Sequence, residues 1–266
     1  MKVLFFRRFV QISLLVLFIS SNYYGLSFLK GDFSSSLILD TIPLSDPFAV
    51  LQLGLAGFSV GLSAIFGAFI VFIFYALIAP RAFCSWVCPV NLFVDIAFKL
   101  RQKLGFEKEK KLLNLSKKTR YFLLLFTLIF SFMLSFAAFE SVSYIGLLAR
   151  AIIFLNSSVF GIILCIIVFE MFIMQRGICS HLCPLGAFYA IISRFSFIRI
   201  AHDLDHCTKC NKCKIVCPEV QVLDMIGRRS DFVKNTECIS CGRCIDVCDD
   251  NALKFSIRNL RRKNEN

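Results

Sequence analysis

Histidine is scarce in this chain, with three in 266 residues: His181, His202 and His206. None falls in a long apolar run, so those runs hold no pair of histidine axial ligands for a haem. Acids are also few, 18 against 30 Lys and Arg, which gives a formal charge of +12 and a pI near 9.2. A basic balance suits nucleic acid or an anionic surface. No pattern of a nucleic-acid-binding module accompanies it, so nucleic acid is not an expected partner. No A-x-A cleavage site follows the first apolar run. Although Arg7-Arg8 precedes it, that run therefore reads as a retained helix rather than an export signal. The single tryptophan against 31 phenylalanines carries no functional reading.

What the chain does have is apolar length. Hydrophobic residues make up 57% of it and mean hydropathy is +0.72, against roughly 45–50% apolar usage in ordinary soluble domains. Runs at about 9–29, 56–79, 121–139 and 155–174 approach the ~20 residues that span a bilayer as a helix. With the N-terminus inside, the outer loops hold only Lys30 and Arg150 of all the Lys and Arg residues, a strong positive-inside bias. The expected fold is an α-helical polytopic membrane protein, with four transmembrane helices in residues 1–200 and both termini cytoplasmic. The basic charge then serves topology and contact with membrane lipid. Lys30 to about Leu53 reads as a loop, in which Ser45-Asp46-Pro47 offers a helix cap followed by proline at the first helical position. Gly57, Gly61, Ala64 and Ala68 form a small-residue stripe suited to helix packing.

Thirteen cysteines suggest a disulfide framework until they are placed. Eight lie in two runs: Cys207-x2-Cys210-x2-Cys213-x3-Cys217-Pro218, then Cys238-x2-Cys241-x2-Cys244-x3-Cys248 with Asp249 in place of the proline. This is the bacterial ferredoxin spacing, in which each run gives three thiolates to one 4Fe–4S cluster and its fourth to the other. One cluster would take Cys207, Cys210, Cys213 and Cys248; the other Cys238, Cys241, Cys244 and Cys217. Structural zinc also uses Cys-x2-Cys pairs but usually separates two pairs by a longer loop. Disulfides need an oxidising compartment, which a cytoplasmic segment does not meet. Residues 201–266 are thus expected to form a small α+β two-cluster ferredoxin domain.

Four more cysteines sit in a repeat. Arg81-Ala-Phe-Cys84-Ser-Trp-Val-Cys88-Pro89 and Arg176-Gly-Ile-Cys179-Ser-His-Leu-Cys183-Pro184 share the form R-x2-C-S-x2-C-P. Each follows an even-numbered apolar run, so the first 200 residues read as two related hairpins. In a helix, positions four apart share a face, and the proline suits the first turn of a new helix. After Pro89, Leu92, Phe93, Ile96, Ala97, Leu100 and Leu104 make one face, with Asp95, Lys99, Arg101, Gln102 and Lys103 opposite, as in a helix lying at a membrane interface. The four thiols read as a redox-active dithiol, a metal or cluster site, the wall of a quinone pocket, or inert helix-end residues. His181 is a candidate quinol contact or proton acceptor. Glu140 and Glu170, at run ends, read as proton carriers or as side chains reaching water. Cys165, alone in its run, reads as a small buried hydrophobe.

The two Cys-x3-Cys-Pro motifs, the paired four-cysteine runs and the loop Gly31–Ser36 through Ile42–Pro47 together resemble the NapH family over essentially the whole chain. Membrane quinol dehydrogenase subunits of periplasmic nitrate reductase systems make up that family. The resemblance implies a bacterial inner-membrane protein with two 4Fe–4S clusters. It would oxidise a quinol of the quinone pool, menaquinol above all. Electrons would pass with a NapG-like periplasmic ferredoxin partner toward nitrate reductase. Cys84, Cys88, Cys179 and Cys183 are then the motif cysteines of a quinol or redox site. Rival readings are a polyferredoxin that assembles a metal cofactor, for example for a cytochrome oxidase, and a membrane redox sensor.

Overall fold

The computed structural model of the chain describes residues 2–25, 28–105, 115–174 and 176–258. Much of the basic segment, residues 106–114, lies outside the described residues, as do parts of the first expected span at 26–27. The described chain forms two compact units. One comprises Met1–Phe9, Phe74–Trp86 and Tyr189–Asn266; the other comprises Val10–Ile73 and Val87–Phe188.

Four membrane-spanning helices are not what the chain forms. Among the described residues one helix, α1 (Lys2–Tyr24), is long and apolar enough to cross a membrane. The other apolar runs give shorter helices: α3 (Leu62–Leu77), α6 (Thr119–Leu134), and α9 (Ser158–Val168) continued by a π-helical turn to Ile173. Sixteen residues at about 1.5 Å each fall short of a ~30 Å hydrocarbon core. Local backbone sets these limits. Gly57 lies at φ +80° and residues 58–61 are not helical, so α3 starts late. Ser135 enters the left-handed region at φ 51° and ends α6. Met174 turns extended after the π turn. With the spans goes the assignment of loops to two sides of a membrane.

The unit of 10–73 and 87–188 begins its described core where α1 meets a small sheet. The expected loop after Lys30 is instead an antiparallel sheet of β1 (Leu29–Gly31), β2 (Ser35–Ile38) and β3 (Ile42–Ser45), followed by α2 (Pro47–Leu55). Phe18, Leu29 and Ile153 pack together with Phe33 and Ile38. Asp46 caps α2 by accepting from the Phe48 amide, with Pro47 opening the helix. Arg150, on α8 (Tyr144–Ile153), reaches Asp32 at 2.7 Å and Glu140 at 2.8 Å. Glu140, on α7 (Ala138–Val142), is thus an anchor of the sheet loop; burial pushes its carboxyl up despite the Ser34 hydroxyl and Arg150.

The helix after Pro89, α5 (Pro89–Lys103), keeps part of its apolar face outward, as a helix at a membrane interface would, but buries part of its polar face. Ile96, Leu100 and Leu104 are exposed, while Asp95 and Arg101 are buried with Val90, Val94 and Ala97. Arg101 donates to the Met171 carbonyl, so the interior of this unit takes polar groups. Outward positions on α3 and α6 are apolar, among them Leu62, Phe66, Phe122 and Phe126.

In the other unit, β4 (Ile198–His202) is the centre of an antiparallel sheet with β5 (Asp231–Phe232) and β6 (Leu253–Ile257). Ile200, Val222, Leu223, Met225, Val233 and Leu253 form its core together with Cys213, Cys238 and Cys244. The cysteines are therefore part of the packing. The segment before β4 also joins Phe74–Trp86: the amides of Phe197 and Ile198 donate to the carbonyls of Leu77 and Ile78.

Candidate functional site: two cysteine-lined cavities

Each four-cysteine run bends in the same way. Lys209 and Asn211 in the first, and Ser240 and Gly242 in the second, take positive φ between 52° and 70°. These are equivalent positions, two and four residues after the first cysteine. Left-handed residues are rare away from glycine, and here they coil the loop before the short helices α11 (Lys212–Val216) and α12 (Arg243–Asp246).

The loops line two small pockets. Cys207, Cys210, Cys213 and Cys248 line one, with His202, Ile226, Val247 and Leu253. Cys238, Cys241, Cys244 and Cys217 line the other, with Ile200, Val222 and Leu223. Each quartet combines three cysteines of one run with the fourth of the other. None of the eight is in a disulfide. Among the described residues no three His, Cys, Asp or Glu side chains converge closely enough to hold a single metal ion. Four thiols spread round an apolar cavity suit a cluster with several irons, each needing one sulfur, better than one tetrahedral ion.

The quartets differ in exposure. Cys210 is exposed, whereas Cys238, Cys241 and Cys244 are all buried. Burial pushes the Cys238 thiol up to about 11, against the downward pull of the Ser240 amide, Arg81 and Arg199. Burial likewise raises Cys244 and Cys213. Thiolate, the form that binds iron, is therefore disfavoured in these positions until a metal compensates it.

The first Cys-x3-Cys-Pro motif lies against the second ligand loop. Arg81, at 1% exposure, pairs with buried Glu219 at 3.5 Å and donates to the Glu237 carbonyl at 3.1 Å. The Ser85 hydroxyl, in α4 (Ala82–Trp86), donates to the Ile239 carbonyl at 2.5 Å. The Trp86 indole N–H donates to the Ser240 carbonyl at 3.0 Å. The Ser240 hydroxyl returns a bond to Pro80. Arg199 donates to the carbonyls of Val233 and Lys234, just upstream.

The second motif shares the backbone device. Arg176, like Arg81, has a left-handed φ (56° and 45°), and Pro184 opens α10 (Pro184–Ile192) as Pro89 opens α5. Residues Ile178–Leu182 are π-helical and Cys183 is extended, so Cys179 and Cys183 do not share an α-helical face. Arg176 lies over the Phe98 ring at 4.6 Å. Cys183 accepts from the Gly186 amide at 3.3 Å. Tyr144 has a buried hydroxyl directed at Cys183, with Cys179 and Cys88 in electrostatic range; burial first and these sulfurs second hold the phenol well above its usual value. Cys88, Cys179 and Cys183 thus gather round Tyr144, while Cys84 belongs to the other compact unit. His181 is buried. Glu170 is buried too and accepts from the Ile178 amide at 3.0 Å, capping the π turn. Cys165 is exposed rather than buried.

Sequence reasoning overlooked Tyr144, Arg199 and the roles of Arg81, Ser85 and Trp86. The signal for two of them was in the repeat, which preserves arginine and serine as well as cysteine.

Crossed quartets on a small antiparallel sheet define a ferredoxin-type iron–sulfur protein that transfers electrons. Comparison with known proteins agrees. A 4Fe-4S dicluster domain model matches residues 199–249, and a 4Fe-4S binding domain model matches 60–107 and 157–200. The ferredoxin-type protein NapH of Haemophilus influenzae is 40% identical over 97% of this chain and 90% of its own length. NapH of Escherichia coli is 34% identical over 95% and 88%. The methylamine utilization ferredoxin-type protein MauN of Paracoccus denitrificans is 37% identical over 87% and 82%. No solved structure matches. The chain belongs to the NapH family.

Proposed function

We propose that the protein is a membrane-attached quinol dehydrogenase subunit holding two 4Fe–4S clusters. Cys207, Cys210, Cys213 and Cys248 would ligate one, and Cys238, Cys241, Cys244 and Cys217 the other. The observation that carries this reading is the pair of pockets, each lined by four cysteines of crossed origin. Bound clusters supply one-electron transfer; the chain binds them, buries their ligands and sets their surroundings.

Electrons would come from a quinol, menaquinol above all, at the motif cysteines Cys88, Cys179 and Cys183, with His181 as proton acceptor. They would leave with a NapG-like partner toward a periplasmic nitrate reductase. Likeness to two NapH proteins supports that route. Comparable likeness to MauN favours a second reading of the acceptor alone, one belonging to methylamine use. Attachment to the bacterial inner membrane would run through α1. Its N-terminal amides at Val3 and Leu4 bind Asp246 of the ferredoxin segment, which supports both termini on one, cytoplasmic, side. The outward apolar side chains of α3 and α6 suit contact with lipid.

The test is anaerobic: iron-reconstituted full-length protein receives reduced menaquinol, and cluster reduction is followed by EPR. A reduced-cluster signal within mixing time is expected. Intact clusters that no physiological quinol reduces would sink the quinol reading.

A further inference from the structure

The first motif does more than present cysteines. Ser85 and Trp86 take the carbonyls of two consecutive peptides, Ile239 and Ser240, in the loop that carries Cys238 and Cys241. A trans peptide is planar, so its N–H points opposite to its C=O. Fixing the Ile239 carbonyl outward therefore aims the Ser240 amide inward, and that amide does donate to the Cys238 sulfur. Fixing the Ser240 carbonyl aims the Cys241 amide to the same side. Arg81 holds the Glu237 carbonyl just upstream, and Arg81 and Arg199 both lie in electrostatic range of Cys238.

The equivalent stretch of the first run is held otherwise. There the Lys209 carbonyl takes the Asn211 side chain of its own loop. The Thr208 amide and hydroxyl are bound by the Asp250 carboxylate, at 3.2 and 2.6 Å. The first loop thus has a carboxylate at Thr208, Lys212 near Cys210 and amides on Cys213, whereas the second has two guanidinium groups near Cys238 and side-chain donors from outside the loop that fix its consecutive peptides. N–H donors and cations near cluster sulfurs favour the more negative, reduced form and so raise the reduction potential.

We propose that Arg81, Ser85 and Trp86 form a collar that tunes the second quartet, Cys238, Cys241, Cys244 and Cys217, making it the higher-potential site of the two. The two motifs differ at the matching position, with Trp86 in the first and His181 in the second. The inference rests on the assignment of the eight cysteines as cluster ligands. Ser85 and Trp86 are positioning residues, acting through the Ile239 and Ser240 peptides.

The experiment is an EPR-monitored redox titration of the iron-loaded full-length protein and of Trp86→Phe, Ser85→Ala and Cys210→Ser. Trp86→Phe keeps the bulk of the ring and removes the indole donor; Ser85→Ala removes one hydroxyl. Cys210→Ser alters the exposed quartet and identifies its wave. The wild type is expected to give two waves, the higher from the second quartet. Trp86→Phe and Ser85→Ala should each move that wave to lower potential and leave the other in place, at wild-type iron content. If the lower wave moves, if both move together, or if neither moves in the iron-replete variants, the inference fails. A wild type that binds only one cluster overturns the ligand assignment and the inference with it; two clusters with unmoved waves overturn the inference alone.

Discussion

Gly242 follows Cys241 at φ +70°, and a Cβ placed there would come within 2.2 Å of the Val3 side chain. Both facts demand glycine. Gly242→Ala should cost about 1–3 kcal/mol from the left-handed backbone, before the clash is counted. It should lower the temperature at which cluster absorbance bleaches by several degrees. A variant that bleaches at the wild-type temperature would mean that Val3 does not pack there. Thiol protection is a second residue-scale expectation. In iron-free protein, exposed Cys210 should alkylate first and Cys238 and Cys244 last, read by mass spectrometry of peptides after timed labelling. Burial raises Cys238 from the usual 9.0 to about 11. A thiol held protonated by the fold favours the iron-free fold below pH ~9, and that contribution is lost as pH rises toward ~11. Iron-free protein should therefore unfold at lower urea concentration at pH 10.5 than at pH 8. The ligand spacing was legible at this scale because three cysteines within seven residues leave few alternatives for the loop. Tyr144 was not: nothing local distinguishes it, and only the meeting of α8 with both later motif cysteines gives its hydroxyl a role.

Among elements, the apolar runs show why composition does not set helix length. Residues 56–61 are apolar enough to extend α3, yet Gly57 at φ +80° and the non-helical residues after it stop them. On α5 the expected faces hold only in part. Ile96 and Leu100 turn outward, as on a helix at a membrane interface, but this unit also buries Asp95 and Arg101 of the polar face. The Asp46 cap of α2, by contrast, is purely local and could be read directly. The turn into β4 depends on Arg199, which is 2% exposed and donates to carbonyls of Ser193, Arg194, Val233 and Lys234. Removing it strands several buried acceptors, at about 1–3 kcal/mol each. Arg199→Met should thus destabilise the iron-loaded protein by about 3 kcal/mol or more in chemical denaturation. Arg199→Lys should rescue little, because an ammonium cannot serve that fork of carbonyls. Full rescue by lysine would reduce Arg199 to a simple charge.

At the scale of the whole molecule, the ferredoxin segment is not made by its own sequence alone. Its compact unit takes in Met1–Phe9 and Phe74–Trp86 as well as Tyr189–Asn266. Contacts across 154 to 243 positions join them: Ser85 to Ile239, Trp86 to Ser240, and the Val3 and Leu4 amides to Asp246. No spacing rule reveals such pairs, which is why residues 201–266 read as an independent domain. If residues 189–266 are produced alone, the carbonyls of Glu237, Ile239 and Ser240 lose their side-chain donors and Asp246 loses two amides. The loop of the first quartet keeps its own bonds from Asn211 and Asp250. The isolated segment should therefore lose the cluster of the second quartet first on dilution or exposure to chelator, with the first outlasting it. Iron content and EPR followed over time distinguish the two. Equal loss from both quartets, at the rate of the full chain, would mean that the outlying segments pack against the ferredoxin without holding it.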